Sequence, residues 1–241
     1  MMLQACLNGG RGKDFHPAMP CSPDELAADA GRAVAAGAAE LHIHPRDAAG
    51  IETLEPDLVA AALTAVRAAV PGIPVGLSTH WDIPPGGIAR RMPISRWRVL
   101  PDYVSINLVE QDAPQLIVEM LGKGVGVEAG LWSVADAERF VHLADAQRCL
   151  RVLIEINEQD AAEGLAVVAG IRQLLADHGI ALPQLLHGLD ATVWPLYEGA
   201  LRLGLDSRIG LEDGQDLPSG AMSAGNAELI AAAVAMRSTS S

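Results

Sequence analysis

Aromatic residues are scarce in this chain, at 3%, and positive charge is scarcer than negative. Lys plus Arg number 17 against 30 Asp plus Glu, for a formal net charge of −13. A nucleic-acid binder needs a basic face and stacking side chains, so both shortages argue against that class. The acidity itself bears on solubility rather than on a partner, and a local basic pocket for an anionic substrate stays open. Three cysteines, Cys6, Cys21 and Cys149, are odd in number and not spaced as a motif. They do not read as a disulfide framework or a cysteine-rich zinc site, and a reducing cytoplasm is the expected compartment. The opening Met1-Met2-Leu3-Gln4 lacks the basic start and long apolar stretch of a signal peptide. No apolar run reaches the ~18 residues that would read as a membrane span.

What is present is a regular alternation. Half of the 241 residues are hydrophobic, enough for a substantial core. Short runs rich in β-branched residues predict strands over Leu3–Asn8, Glu40–His44, Pro74–Thr79, Tyr103–Leu108, Gly124–Glu128, Arg151–Asn157, Gln184–Gly188 and Arg208–Glu212. Ala-rich amphipathic segments predict helices starting near Pro23, Pro56, Gly86, Ala113, Val134, Asp160, Thr192 and Gly225. Ser22-Pro23-Asp24-Glu25 combines a cap, a proline at the first helical position and acids facing the helix dipole. Ser133-Val134-Ala135-Asp136 has the spacing of a capping box, with Asp in the Glu position. Strand then helix, eight times over, is the pattern of an α/β protein of the (β/α)8 TIM-barrel class. An open doubly wound sheet is the competitor. Its expected phosphate turn is missing: Asn8-Gly9-Gly10-Arg11-Gly12 lacks the dinucleotide spacing, and no helix follows at once. No linker or charge block divides the chain, so residues 1–237 are expected to form one barrel domain, with 238–241 as a loose tail.

In such a barrel the active site lies at the carboxyl ends of the strands. Buried strands should be apolar, so polar residues there need a reason. Each predicted strand has one: Asn8; His42 and His44; Ser78-Thr79-His80; Ser105 and Asn107; Glu128; Glu155 and Asn157; His187; Glu212-Asp213. Together they predict a polar pocket.

His42-Ile43-His44-Pro45-Arg46-Asp47 carries the sharpest chemistry. Alternate residues of a strand share a face, so both imidazoles point the same way and can grip one metal ion. They could also be two hydrogen-bonded barrel histidines. Glu212 is the leading third ligand, because strand eight closes next to strand one and near strand two. Two imidazoles favour Zn²⁺ over Mg²⁺, with Fe, Mn, Co and Ni as alternatives. Arg208 could order Asp213 or Glu212, bind an anionic group, or form a structural salt bridge. Arg46-Asp47 reads as a pair supporting the histidines.

Taken together, these residues resemble the β-keto acid cleavage enzyme family. The resemblance rests on Ala5-Cys6-Leu7-Asn8-Gly9-Gly10, on Pro20-Cys21-Ser22-Pro23-Asp24-Glu25-Leu26-Ala27, and on Gly37-Ala38-Ala39 before the histidine motif. It continues in Arg208-Ile209-Gly210-Leu211-Glu212-Asp213 and Gly225-Asn226-Ala227-Glu228-Leu229. The resemblance implies a zinc-bearing barrel that cleaves a β-keto acid by a retro-Claisen route with acetyl-CoA as co-substrate, giving acetoacetate and a CoA thioester. It implies His42, His44 and Glu212 as zinc ligands and Ser78, Arg208 and Asp213 as the catalytic group. Ser105, Asn107 and Glu128 would line the substrate site, with Asn8 and Glu155 nearby. Glu128 and Glu155 could instead bridge arginines. The chain is shorter than typical members, and the segments after strands three, six and seven depart from the family pattern. Partners are expected to be a small β-keto acid and CoA, with a homo-oligomeric assembly.

Two other readings compete. A hydrolase of the amidohydrolase type also has a barrel with an H-x-H strand, and there a metal-bound water attacks; His187 would be a further ligand or base. A non-catalytic metabolite-binding barrel is the other.

Overall fold

The computed structural model describes residues 1–239. Eight parallel strands close into a barrel in chain order: β1 (Leu3–Cys6), β2 (Glu40–Ile43), β3 (Val75–Ser78), β4 (Tyr103–Asn107), β5 (Gly126–Leu131), β6 (Arg151–Ile156), β7 (Gln184–Gly188) and β8 (Asp206–Ile209). Between and after them run α1 (Pro23–Ala35), α2 (Pro56–Ala69), α3 (Arg91–Ser95), α4 (Ala113–Gly122), α5 (Val134–Val141), α6 (Ala161–Asp177), α7 (Val193–Leu203) and α8 (Asn226–Thr239). This is the (β/α)8 TIM barrel that the alternation predicts.

Local chemistry explains where the helices begin. Ser22 caps α1 by accepting from the Glu25 amide, and Glu25 reaches back to the Ser22 amide, so two otherwise orphaned donors are satisfied. Pro23 at the first position fixes φ where no amide is needed. Ser133 and Asp160 cap α5 and α6 by accepting from amides of the first turn, without a reciprocal bond back to the cap amide. Each of these helices turns an apolar face inward, as with Leu26, Ala30 and Ala33 of α1.

The chain divides into two compact units, residues 2–102 with 208–241, and residues 103–207 together with Met1. In the first, Leu3, Leu41, Ile43, Leu63 and Leu77 are fully enclosed; in the second, Val104, Phe140, Ile154 and Leu196 are.

Several boundaries differ from expectation, each for a stated cause. Gly124 has φ +76 and follows the end of α4, so it terminates that helix rather than opening a strand. β5 therefore starts at Gly126 and runs on to Leu131, which puts Glu128 inside the strand and not at its end. β8 stops at Ile209, because Gly210 presses on the Cys6 carbonyl so closely that a Cβ there would lie 1.9 Å from it. The following residues turn, with the Asp213 amide donating to the Gly210 carbonyl, so Glu212 and Asp213 lie in a turn rather than in the strand. The segment predicted as a helix from Gly86 is a 3₁₀ turn, Gly87–Arg90, followed by the short α3. Helix α8 continues through Thr239 and so includes the first two residues of the expected tail; residues 240 and 241 lie outside the described residues.

Candidate metal centre and active site

The first unit contains the histidine motif. β2 pairs with β1 and β3, which fixes the His42 side chain on the face that His44 continues just past the strand. The end of β2 is held by Asn8. Its Oδ1 accepts from the His44 amide at 2.9 Å, and its Nδ2 donates to the His44 carbonyl at 2.8 Å and to the Pro20 carbonyl at 3.1 Å. Asn8 is fully enclosed. Its side-chain amide is bonded to the backbone that carries His44 and to the Pro20 carbonyl.

The two imidazoles meet at their Nε2 atoms, 3.1 Å apart. Glu212 completes a triangle, with Oε1 3.3 Å from His44 Nε2 and Oε2 3.8 Å from His42 Nε2. The three donor groups fall within 4.8 Å of one another, and they are the one such His/Cys/Asp/Glu group among the described residues. Ligands of a tetrahedral zinc at about 2.0–2.2 Å stand roughly 3.3 Å from each other, so these separations suit a single ion. Glu212 Oε2 is buried and accepts no hydrogen bond, an arrangement that is costly without a cation to face. These residues therefore fit a divalent metal.

Close packing places Glu212. Gly9, at φ +55, lies where a Cβ would come within 2.3 Å of Glu212 Cγ. Arg46 fixes this glycine-rich loop by donating to the carbonyls of Gly9 and Arg11, both at 2.6 Å, and to Gly50 at 2.7 Å. Asp47 accepts from the amides of Ala49 and Ile51 and shapes the turn that follows. Neither residue contacts the histidines through these bonds, so the expected Arg46-Asp47 support acts on the loops. The carboxylate that reaches the far side of His44 is Glu52, whose Oε1 is hydrogen-bonded to Nδ1. Sequence reading missed Glu52. Its one signal is its place five residues beyond Asp47, in a returning turn that no hydrophobic period marks.

Beside this triangle, Arg208 holds both acids, Glu212 at 2.9 Å and Asp213 at 2.8 Å. The second oxygen of Asp213 accepts from the Cys6 thiol at 2.9 Å. Asp213 is fully enclosed and Arg208 nearly so. Ser78 is buried at the end of β3, where its Oγ accepts from the His80 amide at 3.2 Å.

Electrostatics follow the geometry. Burial pulls the His44 imidazole down, but Glu212 and Glu52 outweigh it and raise its pKa to about 9. Burial pushes the Glu212 carboxyl up, yet Arg208, His44 and His42 hold it well below the usual carboxylate range. Glu52 is likewise lowered against its burial, by His44 and Arg46. Burial and the neighbouring Asp213 raise the Cys6 thiol, so it keeps its proton and donates.

The second unit contains the remaining predicted residues. Glu128 is fully enclosed and bound by Ser105 Oγ at 2.6 Å and Arg151 Nε at 2.7 Å. It forms a buried bridge between Ser105 and Arg151. Asn107 lies over Gly130, where any Cβ would be 2.2 Å from its Oδ1, and that oxygen is buried with no hydrogen-bond partner. Glu155 is partly exposed, with its Oε2 3.5 Å from His187 Nε2.

A family model for the beta-keto acid cleavage enzyme matches residues 1–240. The chain belongs to that family. Among curated proteins, none matches it. Among solved structures, an apo form of ObcA is 17% identical with a TM-score of 0.70, covering 93% of this chain and 62% of its own. A ternary complex of ObcA with a C4-CoA adduct and oxalate is 17% identical with a TM-score of 0.72, covering 93% and 64%. This family member thus spans less than two thirds of the length of the ObcA chains. A type I 3-dehydroquinate dehydratase from Clostridium difficile, with covalently modified comenic acid, is 12% identical with a TM-score of 0.64 and covers 99% and 92%. At these identities the likeness is one of fold.

Proposed function

We propose that this chain is a zinc-dependent β-keto acid cleavage enzyme. The acyl group of the keto acid passes to the sulfur of CoA, and the acetyl group of acetyl-CoA passes to the carbon it leaves. The products are a new CoA thioester and acetoacetate, and the atoms balance. The observation that carries the reading is the convergence of His42, His44 and Glu212 within 4.8 Å in a chain of this family.

His42, His44 and Glu212 hold the metal. A divalent ion held there would supply Lewis-acid polarisation of the keto oxygen, worth several kcal/mol of charge stabilisation. Asp213 is the general base. Arg208 fixes one of its oxygens and the Cys6 thiol the other, so it is held in one orientation. Such proton transfer typically contributes ~10²–10⁴ in rate. Because Asp213 is fully enclosed, its proton arrives by relay, the part assigned to Ser78. Ser105, Asn107 and Glu155 are proposed to line the substrate site.

The test is a panel of β-keto acids given to the metal-loaded protein with and without acetyl-CoA. Acetoacetate and a thioester should appear together, and only when acetyl-CoA is present. Cleavage that proceeds in water without CoA would overturn this reading in favour of a hydrolase.

A further inference from the structure

We infer that Glu52 is the positioning residue of the metal centre: it orients His44 and strengthens it as a ligand. The inference rests on the proposed metal site and adds a residue that neither the family match nor the histidine motif assigns.

The imidazole has two nitrogens, and the hydrogen bond at one decides what the other can do. Glu52 Oε1 accepts the hydrogen bond that His44 Nδ1 donates. That leaves the Nε2 lone pair facing His42 Nε2 at 3.1 Å and Glu212 at 3.3 Å, where an ion would sit. A carboxylate behind a ligating histidine sets its tautomer, stops ring rotation and raises its basicity.

The chain builds the turn that makes this contact possible. After His44 it reverses, with the Asp47 amide donating to the Ile51 carbonyl at 2.8 Å and the Thr53 amide to the Pro45 carbonyl at 2.9 Å. Arg46 and Glu52 thereby form an antiparallel bridge. Two features then keep the Glu52 carboxylate in place. Gly10 leaves room for it: a Cβ there would lie 3.0 Å from Glu52 Oε2. Its side chain is also largely enclosed, so water competes little for the bond. The Asp47 turn and the Arg46 clamp thus serve the metal by delivering Glu52.

The test measures zinc affinity by competition with a chromophoric chelator, on wild type, Glu52→Gln and Glu52→Ala. The carbonyl of Gln can still accept from Nδ1, but the charge is gone. Wild type should bind zinc tightly, and both variants should bind about 10–100-fold more weakly, with Ala the weaker. The visible spectrum of the Co²⁺-loaded forms should shift as the His44 bond changes, a readout that fold stability alone does not move. Where Ala fails to fold, Glu52→Asp takes its place; it keeps the charge but shortens the reach, and should fall between wild type and Gln. Wild-type binding with every folded variant within twofold of it overturns the role of Glu52 alone. A wild-type chain that takes up no zinc overturns the metal reading with it.

Discussion

Two atoms of Asp213 show how fully a single residue can be constrained. Arg208 donates to one oxygen and Cys6 to the other, and no surface is left exposed. Asp213→Asn removes the basic oxygen while conserving shape. The variant should fold, bind zinc as wild type does, and lose about 10²–10⁴ in turnover of the β-keto acid substrate. Turnover within a factor of two would remove Asp213 from the mechanism. His42→Ala and Glu212→Ala should instead purify without metal, checked by elemental analysis. Gly9 makes a different kind of prediction. Its φ of +55 and its approach to Glu212 leave no room for a side chain. Gly9→Ala should displace Glu212, weaken zinc binding at least about tenfold, and destabilise the fold by about 1–3 kcal/mol, read by chelator competition and thermal melting. At this scale the residues of the candidate metal site were legible and their supports were not. His42 and His44 announce themselves by parity, and Glu212 by its place at the end of the last predicted strand. Glu52 and Cys6 act through bonds that cross loops or strands, and no local period encodes such contacts.

Elements were legible where capping chemistry marks them. Helix α1 begins at Pro23 because Ser22, Pro23 and Glu25 together satisfy its first turn. Ser22→Ala should cost about 1 kcal/mol, seen as a lower midpoint in urea unfolding. Glu25 adds a pH dependence. A hydrogen bond from Lys13, then the amides of Cys21 and Ser22, lower its pKa to about 2 from a usual 4.5. A group depressed in the folded state stabilises above its unfolded pKa and loses that contribution as pH falls through its folded one. Wild type should therefore be more stable than Glu25→Gln above about pH 4.5, with the difference fading towards pH 2. A difference that stays constant across this window would mean the charge on Glu25 contributes nothing. Strand ends were less legible than helix starts. Gly130 lies inside β5 and Gly210 just past β8, each where one backbone passes close to a neighbour. Those approaches belong to tertiary packing, and only the glycine itself is written in the sequence.

At the scale of the whole molecule, the proposed metal centre joins the β2 end and its following turn to the turn after β8, two stretches that belong to one compact unit but lie far apart along the chain. An ion bound there favours the folded state by mass action, about 2.7 kcal/mol at a concentration 100 times its Kd. For a chain of this size that raises the melting temperature by roughly 5–11 °C. The gain should depend on pH in a direction set by His44. In the metal-free protein its pKa lies at about 9, above the ordinary 6.5, because Glu212 and Glu52 outweigh its burial. A group raised in the folded state stabilises fully below its unfolded pKa, and that contribution disappears as pH rises through the folded value. The metal-free protein should accordingly lose stability between about pH 6.5 and 9. In the loaded protein His44 ligates as the neutral imidazole, so that loss is absent and loading releases a proton. The melting-temperature gap between zinc-loaded and chelator-treated protein should widen across this window and level off above it. Calorimetry in buffers of different ionisation enthalpy should detect the released proton near pH 7. A gap that narrows as pH rises would show that His44 does not bind the ion.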